Sequence, residues 1–369
     1  MAIPFVDLKA QYLSIKSEMD LAIQKCIDNT NFIGGQPLKD LEKGFSDLCK
    51  AKYTLGVSSG TSALHLALKA YNIGPGDEVI VPVNTFIATS EAVSSVGATP
   101  VFIDINEDTY TIDVDKISEL ITKKTKAILP VHLYGQPADM DPILDIANKN
   151  GLVVIEDAAQ AHCAEYKGKS IPYGDTACFS FFPGKNLGAY GDAGAVVTKN
   201  EEVYKKIYML RDHGREPGQK YKSTIEGFGH RLDTIQAAIL NIKLKYITQW
   251  TERRRANAKK YNELLADTGC ITPVEPEYSK HVYHLYVIRS KHRDILSAKL
   301  HELGISTGIH YPIPLHLQPA YSYLGLSEGS FPVTEKTTKE ILSLPMYPEL
   351  SIDQISFITE SIKKSLFNL

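Results

Sequence analysis

Between residues 53 and 200, short apolar runs alternate with stretches of helical spacing, a pattern that commits the chain to a largely parallel sheet flanked by helices. The runs are Tyr53–Val57, Val79–Val81, Pro100–Asp104, Ala127–Val131, Val153–Ile155, Ala177–Phe182 and Ala195–Thr198. A helix after the first, Ser62 to Ala70, places Leu64 and Leu68 on one face. The short connection between the last two runs predicts one antiparallel strand in an otherwise parallel sheet.

Beyond residue 230 the pattern changes. One long helix is predicted from Thr234 to Ala266, with Ile235, Ala238, Ile239 and Ile242 at helical spacing. A strand follows at His284–Ile288 and a helix at Asp294–Leu303, closed by Gly304. An amphipathic helix is expected from Asp353 to Phe367. At 369 residues the chain exceeds one core of ordinary size. We therefore expect an α/β domain over 1–245, including the N-terminal segment, and a smaller α+β domain over 246–369.

Composition narrows the function classes. A 43% hydrophobic and 22% charged chain is ordinary for a soluble enzyme. Its net charge of -3 predicts neither a nucleic-acid nor a membrane partner. No apolar run reaches eighteen residues, and the N-terminus lacks the basic-then-apolar pattern of a secretory signal. The five cysteines are scattered, without a CxxC pair or metal-ligand spacing. Reduced thiols, no metal and a cytoplasmic location are the expectation.

Three places carry chemistry. Gly60-Thr61-Ser62 follows a strand and opens a helix, so its amides and hydroxyls can converge on an anion; a plain helix cap reads equally from the same residues. Asp157 ends an apolar strand, where a carboxylate is costly unless a cation or strong donor meets it. Gln160 stands three residues on. Lys185 sits in the Gly/Pro-rich segment Ser180–Gly188, where a partly desolvated amine favours its neutral, nucleophilic form. Ser180 can aim a hydroxyl at the same anion, and Phe86, in Val83–Ala88, is either core or a ring stacked on a flat ligand. A lysine for an imine, an acid for a pyridinium nitrogen and a helix start for a phosphate are the protein parts that pyridoxal phosphate requires.

With these motifs the chain resembles the DegT/DnrJ/EryC1/StrS family of sugar aminotransferases, fold-type I pyridoxal phosphate enzymes with a mainly parallel seven-stranded sheet. The likeness runs from Pro4–Leu8 through Phe32–Gly35 to the end. It implies that Lys185 carries the cofactor, Asp157 pairs with its pyridine nitrogen and Gln160 meets its phenolic oxygen. Thr61 and Ser180, with the Gly60–Ser62 amides, would hold the phosphate and Phe86 would stack on the ring. The family implies a homodimer with active sites at the subunit interface. It also implies L-glutamate as amino donor, and a dTDP- or UDP-linked keto sugar as acceptor. Relatives that deoxygenate sugars have histidine at the position of Lys185, so lysine indicates transamination.

One position departs from the family. Gly229 stands where a partner-reaching asparagine is usual, leaving His230 or Arg231 as substitutes at the phosphate. The proline- and histidine-rich segment Gly308–Tyr321 is similar to that of members aminating C3. His310, Tyr311 and His316 are therefore expected at the sugar, with Tyr190 and Arg231 as further candidates; Arg211 and Arg231 are candidates for the diphosphate or the donor carboxylate. Amination at C4 of a 4-keto-6-deoxy sugar nucleotide is the alternative, and a non-catalytic cofactor-binding regulator the remote one.

Overall fold

The computed structural model describes residues 2–367. In chain order the helices are α1 (Leu8–Ser14), α2 (Lys16–Asp28), α3 (Gly35–Cys49), α4 (Gly60–Ala70), α5 (Ala88–Ser95), α6 (Met140–Asn150), α7 (Glu201–Leu210), α8 (Thr234–Leu244), α9 (Ile247–Leu265), α10 (Arg293–Glu302), α11 (Pro332–Glu340) and α12 (Ile352–Phe367). The strands of the main sheet are β1 (Tyr53–Val57), β2 (Glu78–Pro82), β3 (Thr99–Ile103), β4 (Thr125–Ile128) and β5 (Val153–Asp157). A small hairpin, β6 (Glu165–Tyr166) and β7 (Lys169–Ser170), precedes the last two, β8 (Thr176–Ser180) and β9 (Gly194–Thr198).

The seven strands lie in the order β1-β9-β8-β5-β4-β2-β3. Only β9 runs against its neighbours, pairing antiparallel with both β1 and β8. That is the arrangement the short β8–β9 connection predicts. Successive side chains alternate between the two faces. Val79, Val81, Cys178 and Val196 join one core with α4 and α5. Ile80, Ala177, Phe179 and Val197 join the other with α3, α6 and α8. Both faces are covered, which is why the strand sequences read as continuous apolar runs.

A third core gathers Ala258, Tyr261 and Leu265 of α9 with residues of α10, α12 and the antiparallel pair β11 (Tyr286–Arg289) and β12 (Ile341–Leu344). A short strand β10 (Ser279–Lys280) pairs with β6. The N-terminal segment, expected with the first domain, adds Ile3 to this third core through bonds to Gly304 and Ser306. The long helix predicted over Thr234–Ala266 is two, because the ladder breaks at Lys245–Tyr246. There, backbone amides bond three residues back, and the Tyr246 ring stacks on Trp250 while its hydroxyl donates to Glu18. Helix α9 places Ile247 and Trp250 in the sheet core and its last turns in the third core. Among the described residues no helix is long and apolar enough to cross a membrane.

Candidate active site

The carboxyl ends of β1, β2, β5 and β8 open on the same edge of the sheet, the edge where parallel α/β sheets bind ligands. A cavity of about 400 Å³ lies there, a size typical of small-molecule sites. Its wall includes Gly60, Thr61, Phe86, Asp157, Gln160, Ser180, Lys185 and Tyr311. Sequence positions spread from 60 to 311 thus meet in one place.

Helix α4 forms the anion end. Ser59 is its N-cap, and its Oγ accepts from Ser62 N at 3.0 Å. The Ser62 hydroxyl bonds the Ser58 and Ser59 hydroxyls, and its side chain is buried. Ser62 therefore serves as part of the cap, and among the described residues the amides of Gly60 and Thr61 have no partner and are open to an anion. Gly60 is required here by crowding: a Cβ at this position would lie 2.7 Å from Ser180 Cβ.

Asp157 is buried at the end of β5. Its Oδ2 accepts from the Thr89 hydroxyl at 2.8 Å and its Oδ1 from Ala159 N at 3.1 Å. Thr89 is in turn 3.0 Å from the Thr85 hydroxyl. Burial raises the Asp157 pKa, opposed by the two donors and by Lys185. A carboxylate held this way gains most from a cation that enters the cavity. Gln160 is held at both ends: its Oε1 accepts from Tyr134 N at 2.6 Å, and its Nε2 donates to the Tyr311 hydroxyl at 3.1 Å. Burial drives the Tyr311 phenol upward, so it stays protonated.

Lys185 lies in the loop between β8 and β9, which folds back on itself. Lys185 N donates to Phe182 O at 2.8 Å, and Ala189 N to Phe181 O at 2.7 Å. Gly188 is demanded there, since a Cβ would stand 2.3 Å from Pro183 O. Burial lowers the Lys185 pKa to about 8, with Asp157 opposing. Nearby His162 falls to about 3, chiefly by burial and then by the lysine charge, so this ring adds no second cation. Among the described residues Lys185 has no side-chain hydrogen bond. A buried carboxylate awaiting a cation, an unpaired amine and two free helix-start amides fit pyridoxal phosphate, with the half-exposed Phe86 ring as a stacking surface.

Other predicted residues do not reach this cavity within the chain. His316 is buried against Phe331, with Nε2 2.9 Å from Glu335. Glu335 also accepts from Gly329 N and Phe331 N, so His316 holds a loop rather than a ligand. His310 stacks on Phe5 and bonds Ser343, and burial lowers its pKa to about 4. Tyr190 covers the Lys243 ammonium. Arg231 is bound to Asp212 at 2.6 Å, and Arg211 is buried with Glu42 and the Gly56 carbonyl. His230 packs between Phe228 and His65, off the wall. Gly229 bridges to Asp212, and its open side faces His213.

Sequence reasoning missed Thr85 and Thr89, although both follow β2 within a turn of Phe86, as well as Phe182 and Asp192 on the wall. It also missed Asn186, which joins the loop to Val282 O at 3.1 Å and to His284 at 3.3 Å.

Comparison with known proteins converges on one family. The DegT/DnrJ/EryC1/StrS aminotransferase family model matches residues 13–363. A pleiotropic regulatory protein of Geobacillus stearothermophilus is 46% identical over 98% of both chains. The dTDP-3-amino-3,4,6-trideoxy-alpha-D-glucose transaminase of Streptomyces venezuelae is 44% identical over 98% of this chain and 96% of its own. The crystal structure of S. venezuelae DesV in complex with a ketimine intermediate superposes with a TM-score of 0.96 at 44% identity, covering 98% of both chains.

Proposed function

Because this chain belongs to the DegT/DnrJ/EryC1/StrS aminotransferase family, we propose that it moves an amino group from L-glutamate to C3 of a dTDP- or UDP-linked keto sugar. It is a pyridoxal-phosphate-dependent aminotransferase of nucleotide-linked sugars, and that much follows from the family and the relatives it resembles. The single observation that carries the reading is Lys185, half-buried, without a side-chain hydrogen bond among the described residues and with its pKa brought to about 8, in a cavity shared with Asp157.

In this proposal Lys185 carries the cofactor, Asp157 faces its pyridine nitrogen, and Gln160 and Tyr311 face its phenolic edge. Gly60, Thr61 and Ser180 take the phosphate, and Phe86 stacks on the ring. When bound, the cofactor would supply an electron sink next to the substrate carbon. The rest is done by the chain. Lys185 Nζ, uncharged in a useful fraction of molecules, removes the α proton of the amino donor, and in the second half-reaction it delivers a proton to the reacting sugar carbon. Thr89 and the Ala159 amide favour the ionised form of the Asp157 carboxylate against the effect of burial and hold it at the cavity wall. The folded Lys185 loop fixes where Nζ returns once displaced.

The proposal includes a homodimer. His230, Arg231 and Tyr190 are all at least partly exposed, so they remain available to a second copy. Division of the chain near residue 245 and action in the cytoplasm belong to the same proposal. Incubating the enzyme with glutamate and either 3-keto or 4-keto sugar nucleotides, then locating the new C–N bond by NMR, tests it. Nitrogen at C4 alone overturns the C3 assignment. Failure of glutamate to convert the bound cofactor to its amine form overturns the choice of donor.

A further inference from the structure

Lys243 is a buried lysine that the chemistry described above does not use. It projects from α8 with 1% of its surface exposed, yet no carboxylate lies within ion-pair distance of it among the described residues. Instead, Nζ donates to the carbonyl of Gly188 at 2.6 Å, and the Tyr190 ring centroid lies 4.3 Å away. Gly188 is the residue whose missing side chain lets the lysine loop close on Pro183. Two helical turns earlier on α8, Gln236 Oε1 accepts from Tyr190 N at 2.8 Å. Helix α8 therefore grips the loop twice, just beyond Lys185, while Asn186 and Val282 grip it from the other side. The Glu349 carboxylate, buried and without a hydrogen-bond partner among the described residues, is the nearest source of compensating charge. Burying an ammonium against a carbonyl and a ring face is costly, and a methionine of similar length would fill the space more cheaply. What the charge adds is a directional, charge-assisted bond to one carbonyl oxygen.

We propose that Lys243 is a positioning residue that clamps the Gly188 carbonyl and thereby fixes the loop on which Lys185 meets the cofactor. This rests on Lys185 being the cofactor's lysine. The clamp acts through the backbone, from Lys243 Nζ to Gly188 and back across the loop closure to Lys185. Loosening it lets the loop sample positions in which Nζ is displaced from the reacting carbon, a cost paid in rate more than in substrate affinity.

The test is made on the holoenzyme. For Lys243→Met the cofactor leaves about tenfold faster and kcat falls about tenfold, the scale of one charge-assisted hydrogen bond. The visible circular dichroism of the bound cofactor weakens, KM for glutamate stays within twofold, and Lys243→Arg recovers most of the loss. A Met variant with wild-type release rate, dichroism and kcat overturns the clamp, whatever its melting temperature. If Lys243→Met does not fold, Lys243→Gln, which keeps an uncharged donor, shows about threefold changes in the same readings; wild-type values there overturn the clamp equally. Lys185→Ala, run alongside, loses the covalent cofactor absorbance. If it keeps that absorbance, the lysine assignment itself is wrong, an outcome distinct from failure of the clamp.

Discussion

Replacing Lys185 with methionine in the cofactor-free protein is expected to stabilise the fold near neutral pH. Burial lowers this amine from its ordinary value of 10.5 to about 8. At about 1.4 kcal/mol per factor of ten, forcing the charged form into the folded site at pH 7 costs about 3 kcal/mol. Nζ is open to pocket water, and in the variant Asp157 loses a favourable neighbour, so we expect about 1.5–3 kcal/mol of gain. The pH dependence follows from linkage. Between about 8 and 10.5 the unfolded wild-type chain binds the proton that the folded chain has released, so its stability rises with pH across that window. Methionine has no such slope, so its advantage shrinks through the window and vanishes above it. Urea unfolding of both cofactor-free proteins at pH 7, 8.5 and 10 measures the difference, in which common titrations cancel. A methionine variant less stable than wild type at pH 7, or a difference that is flat with pH, refutes the reasoning. The same lowered value leaves about one wild-type molecule in ten with a neutral amine at pH 7, against about one in 3,000 for an ordinary lysine. Recapture of pyridoxal phosphate should accordingly speed up with pH and level off above about 8.

Asp157→Asn should lower kcat by at least about a hundredfold, and Thr89→Val by about tenfold, since Thr89 supplies one hydrogen bond to a buried carboxylate. Single-turnover absorbance changes on adding glutamate would separate the two. Gly188→Ala should give a protein that loses cofactor or melts earlier by about 2 kcal/mol, because the new methyl meets Pro183 O at 2.3 Å; an unaltered protein would show that the loop closure is not needed. His316→Leu should shift the melting temperature and leave KM for the sugar nucleotide unchanged, as the ring is bound to Glu335 away from the cavity. Tyr311→Phe, whose hydroxyl meets Gln160, should do the reverse.

The contrast between Tyr311 and His316 shows where sequence reasoning stops. Both belong to one irregular segment, and both carry groups suited to a sugar. A short 3₁₀ turn, Leu315–Leu317, aims His316 into the protein, where Glu335 already gathers loop amides, whereas Tyr311 faces Gln160 in the cavity. No local period distinguishes those directions. Arg211 and Arg231 are similar: their guanidiniums are taken up by Glu42 and Asp212, partners far away in sequence or across a turn. The break at Lys245–Tyr246 is also beyond local reading, since its spacing continues the helix and the partner that anchors the Tyr246 hydroxyl, Glu18, is remote in sequence.

The sequence by itself determined the doubly covered sheet, its one reversed strand and the set Gly60, Thr61, Asp157 and Lys185. These follow from short-range rules: apolar runs demand burial, glycine permits close approach, and a strand end puts its next residues at the sheet edge. The tertiary structure decided which hydroxyl steadies Asp157, which histidines turn inward and that a buried Lys243 holds the lysine loop. Those outcomes depend on distances between segments remote along the chain, and such distances exist only once the cores have packed.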